Sequence, residues 1–306
     1  MAEKIAYLFP GQGSQYVGMG ASFYAEFALA RSIFAEAEEV LGLPLRKYCF
    51  EGPLTELTKT RIAQPAILTV EYIIYRLLTE EGVAPTWVAG HSLGEYAALV
   101  AAGTLTFADA LQLVQKRAEY MAAVPVDGAM AAVVNYPFAQ LEAMVKELAA
   151  DGIIELANFN SPTQIVVSGE KQLVEALVAR ITEEKVGRAI PLAVQGAFHS
   201  RIMEPAAKRF HDDLARTNFL PLKTPLISNV TAEEVTSPDE LPSLLEKQIY
   251  SPVQWEATTR HLLASGCDLF LELGGKILSG LVKKTTAGAK VISLMEAEDV
   301  KKYLQK

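Results

Sequence analysis

Ser92 lies in Gly90-His91-Ser92-Leu93-Gly94, directly after the apolar run Trp87-Val88-Ala89 and directly before the alanine-rich stretch 95–102. A G-x-S-x-G placed between a strand and a helix forces the chain to reverse within a few residues, and glycine supplies the backbone freedom that such a turn needs. A chain with this signature is constrained to an α/β arrangement, in which the helix folds back on the strand it follows. The serine oxygen is lifted clear of the backbone, beside the unpaired N–H groups of the helix start, where a developing oxyanion can be stabilised. The plainer alternative is a glycine-rich turn whose serine only caps the helix.

The rest of the chain extends that arrangement. With 306 residues, half of them hydrophobic, it is long enough for one large α/β domain, alone or with a smaller one inserted. Ile5–Phe9 reads as a core strand, broken by Pro10-Gly11-Gln12-Gly13-Ser14-Gln15. Helical periodicity follows to about Leu41, from about Pro65 to Glu80 and from about Thr106 to Ala123. Short apolar strands alternating with amphipathic helices predict a mostly parallel sheet covered on both faces. From about Val126 the rhythm changes to strand (129–134), helix (137–150), strand (153–159), strand (164–168), helix (171–184) and strand (188–194). That order is the split βαβ pattern of a ferredoxin-like unit, and the α/β pattern resumes after it.

Several function classes are disfavoured. A net charge of −8 argues against general nucleic-acid binding. Cys49 and Cys267 are far apart and lack metal-ligand spacing, so they are expected to be reduced and structural, and no metal cluster is apparent. The N-terminal run carries no signal-peptide pattern, and no apolar run approaches the roughly 18 residues of a membrane span. A soluble cytoplasmic chain is expected. The Gly11-Gln12-Gly13 loop has Tyr16 where a dinucleotide fingerprint needs its third glycine, and no P-loop lysine follows. The loop reads either as a source of N–H groups beside the nucleophile or as a plain turn.

A serine nucleophile needs a base, and the chain has four histidines. His91 adjoins the serine, where elbow geometry normally points a side chain elsewhere. His211 and His261 sit in polar helical stretches. His199 stands in the small-residue loop Gly196-Ala197-Phe198-His199-Ser200 after a strand, the position at which α/β sites assemble, and is the candidate base. Arg117 falls between Leu113 and Met121 on the apolar side of its helix. A guanidinium facing a core needs an anionic partner, which leaves an internal ion pair, a snorkelling stem or capture of a substrate carboxylate open. No aspartate stands out as a third member.

At this point the chain closely resembles the malonyl-CoA:acyl-carrier-protein transacylases. Phe9-Pro10-Gly11-Gln12-Gly13-Ser14-Gln15, Gln64-Pro65-Ala66, the Ser92 motif with Glu95, and Lys116-Arg117-Ala118-Glu119 carry the likeness. It continues through Gly128–Val133, Ala157-Asn158-Phe159-Asn160-Ser161-Pro162, Ala197-Phe198-His199-Ser200, Gln248–Trp255 and Glu272–Lys276, nearly end to end. Gly274-Gly275-Lys276 stands where the family usually has Gly-Pro-Gly-Lys. Gly-Ala-Phe-His-Ser replaces the Pro-Phe-His-Ser of many fatty-acid enzymes, which leaves a polyketide pathway open.

The resemblance implies an α/β-hydrolase-like large subdomain (residues 1–125 and 197–306) carrying a ferredoxin-like insert (126–196). Ser92 would accept the acyl group and His199 would be its base, oriented by a backbone carbonyl with the position of Gln248 contributing. The N–H groups of Gln12 and Leu93 would form the oxyanion hole. Arg117 would hold the malonyl carboxylate, and Phe198 would crowd an α-methyl branch. Malonyl-CoA as substrate, an acyl carrier protein as partner, no cofactor, no nucleic acid, no membrane and a monomer follow as expectations. A basic patch at the site entrance is expected from Lys276, Lys283, Lys284 and Arg201. A serine hydrolase of the same fold is the first rival. A carrier-binding module without catalysis is the second, disfavoured by the intact Ser92, His199 and Arg117 set.

Overall fold

A computed structural model describes residues 3–194 and 196–305. Met1, Ala2, Gln195 and Lys306 fall inside the expected segments and lie outside the described residues. Five strands form a parallel sheet: β1 (Ile5–Phe9), β2 (Trp87–Gly90), β7 (Leu226–Ile227), β8 (Leu269–Leu273) and β9 (Val291–Leu294). Their order is β7-β2-β1-β8-β9. β1, β2 and β8 are buried along their whole length, as strands covered on both faces should be. Successive side chains alternate between two cores. Tyr7, Phe9, Val88 and Leu271 pack toward the helices Thr60–Glu80, Gly94–Ala101 and Phe107–Ala122. Ala6, Leu8, Trp87 and Phe270 pack toward Trp255, Leu262 and the helix Ile277–Thr285.

The second sheet is antiparallel and consists of β3 (Gly128–Val134), β4 (Ile154–Ser161), β5 (Gln164–Glu170) and β6 (Arg188–Pro191), in the order β4-β5-β3-β6. The split βαβ pattern expected from periodicity therefore folds as such. Ala131, Val133 and Val167 face the two helices of this unit, Phe138–Leu148 and Lys171–Glu184. Their neighbours Met130, Ala132 and Val166 face the other way, over the carboxyl ends of the large sheet's strands.

Two boundaries differ from expectation. The helix expected from Pro65 begins at Thr60 and continues through Pro65, which sits in its second turn. The strand expected over 188–194 ends at Pro191. Leu192 makes one more bond to the Met130 carbonyl, and the chain then turns away toward Gly196, whose φ of 145° is open to glycine.

Candidate active site

The site sits at the carboxyl ends of the parallel strands. Gln12 follows β1, Ser92 follows β2 and Asn229 follows β7. A Cβ on Gly90 would lie 1.9 Å from the Gly94 backbone, and one on Gly94 would lie 1.9 Å from the Phe9 carbonyl. The two glycines are thus required by close approach of backbone to backbone. Ser92 itself adopts φ 53°, a left-handed conformation that costs a non-glycine residue roughly 1–3 kcal/mol. Asn229 braces the turn, with its Oδ1 accepting from the Ser92 N–H at 2.6 Å and its Nδ2 donating to the Gly90 carbonyl.

His199, also at positive φ, is buried with its Nε2 2.8 Å from Ser92 Oγ and its Nδ1 2.8 Å from the Gln248 carbonyl. A carbonyl only accepts, so Nδ1 carries the proton and Nε2 is left to accept from the serine hydroxyl. Burial pushes the imidazole down to about 3, with the charges of Arg117 and His91 adding to the effect. Exposed His211 is instead raised by its hydrogen bond to Glu246. In an NMR titration His211 is therefore expected to charge above the usual 6.5 while His199 stays neutral at about pH 5. Arg117→Ala removes a positive neighbour and should move the His199 midpoint upward; an unmoved midpoint counts against that electrostatic link.

Arg117 is 1 % exposed. Its Nη1 donates to Gln64 Oε1 at 2.9 Å, and its Nη2 donates to Gln248 Oε1 at 2.9 Å and to Ser92 Oγ at 3.1 Å. The guanidinium also lies over the Tyr96 ring, 5.6 Å from its centre. Among the described residues no carboxylate forms an ion pair with it. Of the options left open by the sequence, neither the internal ion pair nor the snorkelling stem describes this arrangement.

Ser92 and His199 open onto a cavity of about 360 Å³, lined in part by Gly11, Gln12, Met130, Asn160, Phe198 and Leu281. The backbone N–H groups of Gln12 and Leu93 find no acceptor among the described residues. His91 makes no hydrogen bond to Ser92 among the described residues. It lines this cavity and bonds Asn160 Oδ1 at 2.8 Å, because the small sheet brings Asn160 over the elbow. Glu95 is buried under the elbow, and burial raises its carboxyl to about 7 against the pull of Gln248, the Asn229 N–H and Arg117. Both cysteines are free thiols, and among the described residues no cluster is placed to hold a metal ion. No helix of the described residues is long and apolar enough to cross a membrane.

The expected basic patch divides. Lys276 precedes Ile277 on the cavity wall, whereas Lys283 lines a different cavity with Glu3, Val83 and Leu269, at the amino ends of the strands. Arg201 is engaged by Glu155 at 2.9 Å.

A strained serine paired with a buried histidine at this end of a parallel sheet is the arrangement of the α/β acyl-transfer and hydrolase class of folds. Within that class the chain belongs to the acyl transferase family, whose domain description matches residues 6–294. It is 43 % identical over 306 residues to the malonyl CoA-acyl carrier protein transacylase of Bacillus subtilis, covering 99 % of this chain and 96 % of that protein. The solved malonyl CoA-acyl carrier protein transacylase of Coxiella burnetii superposes with a TM-score of 0.96 at 33 % identity, covering 100 % and 98 % of the two chains. A malonyl-transacylase solved in complex with a type II polyketide-synthase acyl-carrier protein gives 0.95 at 35 % identity, with 99 % of each chain covered.

Proposed function

We propose that the protein transfers the malonyl group of malonyl-CoA to the phosphopantetheine thiol of an acyl carrier protein through a malonyl ester on Ser92. The observation that carries this reading is Arg117: a buried guanidinium without a carboxylate partner, donating to the oxygen of the nucleophile. A dicarboxylic acyl group brings that partner with it, whereas an ester hydrolase has no use for the clamp.

His199 Nε2 takes the Ser92 proton as Oγ attacks the thioester carbon. The oxyanion rests on the Gln12 and Leu93 N–H groups, each such donor contributing roughly 3 kcal/mol to the barrier reduction. The carbon–sulfur bond breaks, and the leaving coenzyme A thiolate takes the proton back from His199. In the second half the carrier thiol gives its proton to His199 and attacks the ester, and Ser92 leaves and is reprotonated. This is ping-pong covalent catalysis, and it calls on no cofactor. Gln248 holds His199 through its carbonyl and Arg117 through its amide. Phe198, on the cavity wall, crowds an α-methyl branch. In this reading residues 1–125 and 197–306 carry the chemistry and 126–196 roof it. The reaction is placed in cytoplasmic fatty-acid biosynthesis, with a polyketide carrier the alternative acceptor.

Intact mass after brief incubation with malonyl-CoA, then with phosphopantetheinylated carrier protein, tests the reading. A malonyl adduct that disappears as malonyl-carrier forms supports it. Free malonate without an adduct makes water the acceptor and the hydrolase reading correct. Carrier proteins of this kind are acidic, so Lys276→Glu is expected to raise the KM for carrier protein about 5- to 10-fold by like-charge repulsion. Lys283→Glu, at the far edge, should leave it unchanged, and equal effects of the two would remove Lys276 from the docking site.

A further inference from the structure

Glu95 is 2 % exposed and each of its oxygens accepts one bond: Oε2 from Gln248 Nε2 at 2.6 Å, and Oε1 from the Asn229 backbone N–H at 3.1 Å. Gln248 Nε2 also donates to the Ser92 carbonyl at 2.8 Å, and its Oε1 receives Arg117 Nη2. The Ser92 carbonyl only accepts and Arg117 only donates, so the NH₂ end of the amide must face Ser92 and Glu95 and the oxygen end must face Arg117. The reversed amide would set N–H against N–H at Arg117 and oxygen against oxygen at Glu95. With one Nη2 hydrogen fixed by Gln248 and Nη1 fixed by Gln64, the guanidinium is aimed at the nucleophile.

Resting on the transferase reading above, we propose that Glu95 is a positioning residue for acyl selection: it anchors the NH₂ end of the Gln248 amide, and through it the aim of Arg117. The motif reading had no role for this carboxylate. It touches neither reacting atom nor substrate; its side-chain partners are the Gln248 amide and the Asn229 main-chain N–H.

Glu95→Gln tests this. The Asn229 N–H is main chain and cannot turn, so the introduced amide must pair its oxygen there and present its NH₂ to the Gln248 NH₂, which the Ser92 carbonyl and Arg117 hold in place, so that donor meets donor and the anchor of the Gln248 amide is lost. The ratio of kcat/KM for malonyl-CoA over acetyl-CoA is expected to fall at least about 10-fold, mostly through KM, as uniform carboxylate binding is lost. Labelling of Ser92 by a neutral fluorophosphonate should stay within about threefold, since it needs no carboxylate clamp. In a Gln248→Met background, adding Glu95→Gln should change the ratio less than about twofold, because the relay is already cut. Unchanged discrimination, multiplying effects in the double variant, or labelling lost in step with malonylation would overturn the proposal. Should Glu95→Gln not fold, Glu95→Asp, whose shorter arm reaches one donor, takes its place in the same cycle. Wild-type protein run alongside separates the two levels, since absence of its malonyl adduct overturns the transferase reading itself and this inference with it.

Discussion

Replacing Ser92 by alanine is expected to lower malonyl transfer about 10⁴- to 10⁶-fold, the range in which removal of a covalent nucleophile falls, and to abolish the malonyl adduct in the intact mass. The size of the effect follows from the geometry. Ser92 Oγ is held 2.8 Å from His199 Nε2, and among the described residues no other hydroxyl bonds that nitrogen. The Gln12 and Leu93 N–H groups and the Arg117 clamp survive the change, so binding of malonyl-CoA should persist while turnover stops. Quenched-flow acylation and equilibrium binding, measured on one preparation, separate the two. A variant retaining a tenth of wild-type transfer would place the nucleophile elsewhere.

The second large effect concerns Arg117→Ala, which is expected to lower kcat/KM for malonyl-CoA about 10³- to 10⁴-fold while changing that for acetyl-CoA less than about tenfold. Sites built around a buried polar partner discriminate by factors of this order, because the analogue leaves that partner unsatisfied. Here the guanidinium is fixed by Gln64 and Gln248 and has no carboxylate of its own, so the substrate supplies the one strong acceptor. The alanine also leaves those two amides without their donor, and melting temperatures should accompany the kinetics. Equal losses on both thioesters would show that Arg117 serves the serine and not the acyl carboxylate.

Much of this site was legible in the residues. The elbow announces itself because its glycines answer a steric demand visible in sequence, a strand reversing into a helix with Gly94 against the Phe9 carbonyl. Arg117 showed through helical periodicity, since a charge on an apolar face has few explanations. His199 emerged by elimination. Asn229 did not, because it follows a strand of two residues, too short to carry a period of two. Gln64 and Glu95 were visible only as letters within motifs, since their partners lie 53 and 153 positions away. The Asn160 partner of His91 is invisible to the elbow rule, which considers one turn, because Asn160 arrives from the other sheet. The early end of β6 reflects the chain leaving its neighbour for the loop that carries His199, a tertiary event that local hydrophobicity does not encode.

The partner of His199 Nδ1 is a peptide oxygen and not a side chain. A main-chain group is supplied by whichever amino acid occupies position 248, so no substitution deletes it and no protonation silences it. A deep mutational scan of this enzyme should accordingly return two intolerant positions for proton transfer where a serine–histidine–aspartate enzyme returns three. Losses at position 248 would then report on what its side-chain amide does for Arg117, Glu95 and the Ser92 turn. The third element of the triad is inherited through the shape of the chain, and selection can reach it only by moving the turn that presents it.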